Sequence, residues 1–446
     1  MKKIKLFYKR LLLVLLTIST ASCLPDTQLG PEKVEGSVIR FQITNVEGAI
    51  VSMLGHQINV SLPIGATTNE LIPQIIVAQG TTILDYTEGQ TLDLSKDYIL
   101  KVMGTNNVVV EYLVKTVVQK PKPGFAQIEL LFEKKHSSFY GWTNNQQYST
   151  ATSGDHVLVA NTGVIQVLNG NTGEPKGVLA GHPGAIHQIA NDDAGRIFSV
   201  NVITTATAFK IHKWENVNST APELIINYTI PAGDWPSGGN LGRCLLSVTG
   251  DISKNAVICI PMVNKNYFYR WVYTNGQLVS NTPEKVTYNF PLATKTFGNI
   301  TANVNPLGNM PVDGYVVTQT ARGWEYIGKD KQYSFATTDG AIPYRSFVFN
   351  FNKAKYYAGS VATPNSAFYI FNITDPKAIE LTESQRFDEG IDFKPFQSVV
   401  FPVETVGNTT PHIGFSFKQN ADGTGILYYL YANSGLRAYK LTPNEN

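Results

Sequence analysis

Residues 184–230 read GAIHQIANDDAGRIFSVNVITTATAFKIHKWENVNSTAPELIINYTI, and four short strands follow one another in them. The apolar and β-branched runs are Ile186–Ala190, Arg196–Ile203, Ala208–Trp214 and Glu223–Ile230. The first two are separated by Asn191-Asp192-Asp193-Ala194-Gly195, where Asn and Asp tolerate left-handed backbone and Gly supplies positive φ. The last two are separated by the polar loop 216–222, closed by a proline that cannot donate to a ladder. An up-and-down sheet of four strands in roughly 45 residues is the unit of a β-propeller.

Most of the remaining chain reads as further copies. The third strand is easiest to follow, because it is aromatic and ends at a turn. It recurs at Val164–Gly173, Ala208–Val217, Tyr267–Gly276, Gly323–Lys331, Ala367–Pro376 and Gly435–Pro443. Six occurrences give six blades; seven is the alternative, because Phe387–Pro411 is unassigned and has room for a degenerate blade. The last third strand ends at Leu441 with no sequence left for a fourth. Gln127–Phe132 (QIELLF) stands before the first blade without partners of its own, so it is expected to pair beside Leu436–Leu441 and remove the open edge.

Residues 38–118 hold a different series of strands: VIRFQI, HQINVSLP, PQIIVAQG, KDYILKVMG and VVVEYLVKTVV. Alternation is clear at Ile58, Val60 and Leu62 and again at Val110, Tyr112 and Val114. Short strands punctuated by Gly65, Gly89 and Asn106-Asn107 suit a β-sandwich of about 80 residues. The Lys- and Pro-containing stretch 120–124 separates the two parts. The expected organisation is an all-β chain: a sandwich over 36–119, a linker over 120–124 and a propeller over 125–446.

The N-terminus carries an export pattern. Lys2, Lys3, Lys5, Lys9 and Arg10 precede the apolar run Leu11–Ile18, which is shorter than the ~20 residues a spanning helix needs. Ser19-Thr20-Ala21-Ser22 then leads into Cys23. The pattern resembles a bacterial lipobox, which implies cleavage after residue 22, lipid on Cys23 and a tether over 23–35. Thr20 departs from the Leu usual at that position; Ala21-Ser22-Cys23 conforms. Taking the five leading basic residues from the 36 in the chain leaves 31 against 34 carboxylates, so the mature charge is slightly negative. No basic nucleic-acid footprint remains. The composition, 16% charged and 43% hydrophobic with 22 Tyr and 22 Phe, argues against disorder and suits an extracytoplasmic β-protein.

Within the first part, the run Ile58-Asn-Val-Ser-Leu-Pro-Ile-Gly-Ala66, Leu71-Ile-Pro-Gln-Ile75, Gly80, Leu92-Asp-Leu-Ser95, Tyr98 and Glu111-Tyr-Leu-Val114 resembles the immunoglobulin-like domains at the front of Bacteroidota envelope lipoproteins. The second part is similar to the propellers that follow such domains, through its architecture and phrases such as NGNTGEPKG and VTGDISKNAVI. The resemblance implies a spacer or adhesion module with no catalysis of its own, at the outer membrane and on the cell surface, with the periplasmic side as the alternative.

Catalytic and metal motifs are sparse. His182 and His187 have no second ligand at metal spacing, and no HExxH, CxxC, GxSxG or P-loop occurs. Asp192-Asp193 reads as a turn rather than a calcium loop. No cofactor or metal is expected. Cys244 and Cys259 flank a turn, so a cross-strand disulfide is geometrically allowed, and two buried thiols are the plainer alternative. Trp214, Trp271 and Trp324 lie on third strands and read as core.

Trp235 differs, standing in the loop PAGDWPSGGNLGR between one blade's last strand and the next blade's first. Matching loops carry His182 and His187, Lys295 and Phe297, and Asp339, Tyr344 and Arg345. Trp235, His187, Arg243, Tyr344 and Arg345 are therefore the expected ligand face, for a glycan or an envelope protein. A Trp235 tucked over its own blade is the competing structural reading. The functional expectation is a lipid-anchored, non-catalytic binding protein. A propeller-type carbohydrate-active enzyme or a structural subunit of an envelope complex is the alternative.

Overall fold

The computed structural model describes residues 36–444 except 64, 120–122, 136–141, 143–146, 162, 183, 185, 202–207, 236–245, 289–302, 320–322, 329–331, 337–342, 362–365, 392, 394, 396 and 402–411. The chain is all-β and divides into two compact units, residues 1–121 and 122–445.

The first unit begins with β1 (Val38–Ile43), β2 (Ile50–Leu54), β3 (Gln57–Leu62) and β4 (Pro73–Val77). It continues with β5 (Thr82–Ile83), β6 (Tyr98–Met103) and β7 (Val109–Val118). β1 pairs with β4, while the other five form a sheet in the order β2-β3-β7-β6-β5. Alternation sends Ile58, Val60 and Leu62 of β3 inward with Val114 of β7, all essentially unexposed, against Phe41 and Ile43 of β1. β3 and β7 run parallel, from Gln57↔Leu113 to Leu62↔Val118.

In the second unit six antiparallel sheets follow one another among the described residues, five of four strands and one whose outer strand is divided in two. β8 (Phe125–Lys135) comes first in the chain but joins the last of them. Sheet 1 is β9 (Gln147–Ser153), β10 (His156–Asn161), β11 (Val164–Asn169) and β12 (Pro175–Val178). Sheet 2 is β13 (Ile186–Asn191), β14 (Ile197–Asn201), β15 (Ala208–Trp214) and β16 (Glu223–Thr229). Sheet 3 is β17 (Ser247–Gly250), β18 (Ala256–Pro261) and β19 (Tyr267–Thr274), with a divided outer strand, β20 (Gln277–Leu278) and β21 (Glu284–Thr287). Sheet 4 is β22 (Asn303–Pro306), β23 (Tyr315–Gln319), β24 (Gly323–Ile327) and β25 (Gln332–Ala336). Sheet 5 is β26 (Pro343–Phe351), β27 (Ala354–Val361), β28 (Ser366–Asn372) and β29 (Gln397–Phe401). Sheet 6 is β30 (Ile413–Gln419), β31 (Gly425–Tyr431) and β32 (Gly435–Pro443), completed by β8.

Each aromatic strand followed through the sequence is the third of its sheet. β8 runs antiparallel to β32, with Phe132 opposite Ala438 and Ile128 opposite Leu441. The stretch after residue 376 holds two short helices, α1 (Lys377–Glu380) and α2 (Glu383–Asp388), and then β29, the outer strand of sheet 5. Its residues 402–411 lie outside the described set.

The first strands β9, β13, β17, β22, β26 and β30 neighbour one another in that order, and β30 returns to β9. Apolar cores lie between successive sheets in the same circuit. Ile189 and Trp214 meet Leu158 and Ile165 between sheets 2 and 1. Val157 and Leu168 meet Tyr428 and Leu436 between sheets 1 and 6. Trp214, Trp271 and Trp324 are at most 1% exposed. Trp214 Nε1 donates to Ala180 O at 2.9 Å and Trp271 Nε1 to Asn281 O at 3.0 Å, which removes the cost of burying their polar edges.

Polar side chains stitch the first strands together. Ser149 Oγ accepts from the Ile189 amide at 2.8 Å, and Asn305 Nδ2 donates to Asn303 Oδ1 and Ser346 Oγ, both at 2.7 Å. Cys259 is a buried free thiol on β18, and burial pushes its pKa well up; Cys244 lies outside the described residues.

His212 on β15 is buried opposite Ser199. Burial first, and nearby Lys210 second, hold its pKa below the ordinary value. The unfolded chain therefore binds a proton more readily, so stability is complete above the ordinary imidazole pKa and falls as pH drops below it. We expect denaturant titrations from pH 7 to pH 5 to show this decline and His212→Leu to flatten it. Equal slopes in the two proteins would contradict the assignment.

Candidate functional site

Where the first strands end, the hairpin turns into the second strands surround a depression of about 410 Å³. The turn of sheet 2 builds one wall. Gly195 there has φ +78°, and Asp192 Oδ1 accepts from the amides of Ala194 at 3.1 Å and Arg196 at 2.9 Å, which closes the turn. The Asp193 amide donates to Gly250 O at 2.9 Å, and Asp192 Oδ2 accepts from the Ile252 amide at 3.3 Å, tying sheet 2 to sheet 3. Asn191 Oδ1 accepts from the Thr152 amide at 2.9 Å, and Thr152 Oγ1 donates to Phe417 O at 3.0 Å, tying sheets 2, 1 and 6.

An ion network underlies this wall. Arg196 Nη1 reaches Asp192 at 2.9 Å and Asp251 at 2.8 Å, and its Nε reaches Glu215 at 3.0 Å. Burial works against the guanidinium's charge, but the hydrogen bonds it donates to Asp192 and Asp251 hold its pKa above the ordinary value. The Asp251 carboxyl is lowered to about 2, chiefly by the Ser253 hydroxyl, with Arg196 assisting. Asp192 is fully buried and spends its oxygens on Arg196 and three amides.

Asp193 is different. Its side chain is exposed to the depression, yet the surrounding protein, together with Asp192 and Asp251, pushes its carboxyl upward. Lys418, largely buried at the rim, is held by Asp155 at 2.7 Å. The far wall is aromatic. Phe347 stacks on Phe349 with centroids 6.0 Å apart, and Phe349 lies 4.7 Å from Phe417. Phe347 and Phe417 are half-buried, and the amides of Asn350 and Gln419 are exposed beside them. The depression thus offers aromatic surface and side-chain amides from sheets 5 and 6 and a carboxylate from sheet 2. That arrangement suits a polyhydroxylated ligand. Among the described residues no group of three or more His, Cys, Asp or Glu is placed to hold a metal.

Neither Trp235 nor Arg345, the two expected ligand-face residues whose side chains are described, lines that depression. Trp235 closes the 3-10 turn Ala232–Asp234, is half-buried, and packs on the core of sheets 2 and 3. Its neighbour Asp234 accepts from Tyr269 Oη at 2.6 Å and Lys285 Nζ at 2.7 Å. Burial opposes the Asp234 charge, but Lys285 and Tyr269 hold its carboxyl below the ordinary value. Arg345 was expected on an open face; it is 1% exposed. The reason is local. β26 already begins at Pro343, and the Arg345 amide and carbonyl both bond Ser360 Oγ of β27, at 3.0 Å each.

His187 and Tyr344 lie on β13 and β26, with side chains outside the described set. Arg243, Cys23, Lys295, Phe297 and Asp339 lie wholly outside it. His182 is half-buried, its Nδ1 3.1 Å from Gly184 O. The sequence did carry a signal for the other end of the strands, in the recurring Asp of the first hairpin turns: Asp155, Asp192, Asp251 and Asp422.

A crystal structure of a DUF4623 family protein from Bacteroides eggerthii DSM 20697 is similar in fold, with a TM-score of 0.56 at 17% identity over 92% of this chain and 100% of that one. Virginiamycin B lyase from Staphylococcus aureus gives a TM-score of 0.38 at 11% identity, over 71% of this chain and 100% of that one. YCF48 from Cyanidioschyzon merolae gives 0.35 at 13%, over 82% and 97%. No curated protein matches the chain. The family model described as Domain of unknown function (DUF8500) matches residues 131–363, from β8 past the end of β27, and the chain belongs to that family.

Proposed function

We propose that the protein is a lipid-anchored, non-catalytic envelope protein in which an Ig-like domain carries a six-bladed β-propeller that binds a glycan. The six-blade reading is supported by six sheets in cyclic contact with a core between each pair, and by β8 completing the last. Two sheets around one core support the Ig-like reading.

The observation that carries the ligand reading is the depression at the ends of the first strands, lined by Asp193 on the turn of sheet 2 and by Phe347, Asn350, Phe417 and Gln419 of sheets 5 and 6. A sugar stacks its apolar face on an aromatic ring and gives its hydroxyls to carboxylates and amides. Binding is favoured over hydrolysis because glycoside chemistry needs two available carboxyl groups. Here Asp192 is sealed by Arg196, so Asp193 has no free carboxylate beside it in that turn. A screen of the soluble form lacking residues 1–23 against immobilised glycans tests the reading. We expect retention of a defined glycan without release of cleaved product. Cleavage would move the protein to the enzyme class, and retention of no glycan would remove the ligand assignment.

The address rests on the leader and on Cys23. Cys23→Ala should abolish uptake of labelled fatty acid and move the protein from the membrane to the soluble fraction. A wild type that takes up no label would end the lipoprotein reading. Protease treatment of intact cells separates the two sides of the outer membrane: digestion is expected for a surface protein and full protection for a periplasmic one.

A further inference from the structure

β2 is the outer strand of the five-stranded sheet, and among the described residues it pairs only with β3. Edge strands of monomers are usually blunted by charge, proline or a bulge, because an open row of amides and carbonyls recruits another strand. β2 has none of these: it reads Ile50-Val51-Ser52-Met53-Leu54, in unbroken register with β3 from Ile50↔Ser61 to Leu54↔Gln57. Ile50 is 61% exposed and Leu54 80%. On the other face, half-buried Val51 and Met53 line a groove of about 260 Å³ between β2 and β1, with Ala49 and Phe41. The sandwich is therefore open along this side.

We propose that this edge pairs antiparallel with the same edge of a second copy of the chain, about a two-fold axis through Ser52. The residue pattern selects that occupant. Read in either direction, the strand is apolar, apolar, Ser, apolar, apolar. An antiparallel pair centred on Ser52 places Ile50 opposite Leu54 of the partner subunit and Val51 opposite Met53 of the partner subunit. Apolar side chains then meet on both faces and cover the grooves. A two-fold contact needs a self-complementary surface, and this strand supplies one without any like-charge clash. Five residues from each copy make a patch well below the roughly 800 Å² per partner of a standard interface, so dimerisation is weak and concentration-dependent.

Cross-linking in membranes tests the pairing in the full chain. Ser52 is exposed, so substitution there leaves the β2–β3 ladder and the core untouched. Ser52→Cys brings two thiols together on the axis, and mild oxidation should give a disulfide-linked dimer at least ten-fold above that from Glu88→Cys, on the exposed loop after β5 at the opposite edge. No excess over Glu88→Cys overturns the proposal. Sedimentation of the detergent-extracted protein supplies a second readout. The wild type should dimerise with rising concentration, and Ser52→Lys, which opposes two ammonium groups, should stay monomeric. A wild type that is monomeric throughout, or a Ser52→Lys protein that dimerises equally, also overturns it.

Discussion

Deletion of residues 125–135 should leave the second unit unable to fold as a cooperative whole. β8 is remote in sequence from its neighbour β32, yet it supplies that sheet's outer strand from Phe125 to Lys135. At about 1 kcal/mol per net ladder bond, losing such a strand approaches the ~5–15 kcal/mol that holds a domain together. The loss also reaches the core. Phe125 is 2% exposed, lies 4.8 Å from the Tyr356 ring, and its amide donates to the Tyr356 hydroxyl at 3.1 Å. Phe125→Ala alone should cost about 3–5 kcal/mol. Thermal unfolding followed by near-ultraviolet circular dichroism reads both effects. We expect no sharp transition from the deletion variant and partial recovery when a peptide of residues 125–135 is added. A deletion variant that melts like the wild type would mean that the last sheet closes without β8.

Arg196→Met should be the most damaging single substitution at the hub turns. It leaves Asp192 without exposure and without its counter-charge, and it frees Asp251 and Glu215 from a shared partner. Removing one member of a buried ion pair costs about 3–5 kcal/mol. The pH dependence gives the result a signature. Burial already pushes the Asp192 carboxyl upward against the pull of Arg196. Without the arginine that rise grows, so the folded variant holds a proton that the unfolded chain releases. Its deficit should then shrink as pH falls toward about 4. Asp251 works in the opposite sense: lowered to about 2 in the wild type, it stabilises above the ordinary carboxyl pKa and loses that contribution as pH falls through about 2. Asp192→Asn added to Arg196→Met should recover part of the loss in urea titrations at pH 7. No recovery would place the damage in packing rather than charge.

The sheets were legible because their third strands combine aromatic residues with a turn at fixed distance, as in Tyr267–Thr274 before Asn275-Gly276. The join of β8 to β32 was legible from strand counting. Other elements left weaker traces. Ile50–Leu54 has apolar residues on both faces, so no alternation marks it as a strand, and the parallel pairing of β3 with β7 has no local signature. α2 was readable in principle: Thr382 and Gln385 form a capping box at its start. The end of the strands proposed to take ligand was harder. Choosing between the two ends of a ring of strands requires knowing which loops leave groups free. The turn Asn191–Gly195 looked like punctuation, and most of it is; Asn191 and Asp192 are consumed by backbone amides, while Asp193 is exposed. Trp235 looked free because Gly, Pro and Ser surround it, but its ring packs on the core.

We propose that ligand binds at the hub turns and not at the Trp235 loop. Calorimetric titration of a glycan retained in the screen against the soluble chain and three variants addresses it directly. Asp193→Asn and Asn350→Ala should each weaken binding by about ten-fold, or roughly 1.4 kcal/mol, with unfolding temperature unchanged. Trp235→Ala should lower the unfolding temperature while the folded fraction binds as tightly as the wild type. Full affinity in Asp193→Asn and Asn350→Ala, with binding lost in a stable Trp235→Ala protein, would contradict the account and put the site at the opposite end of the strands.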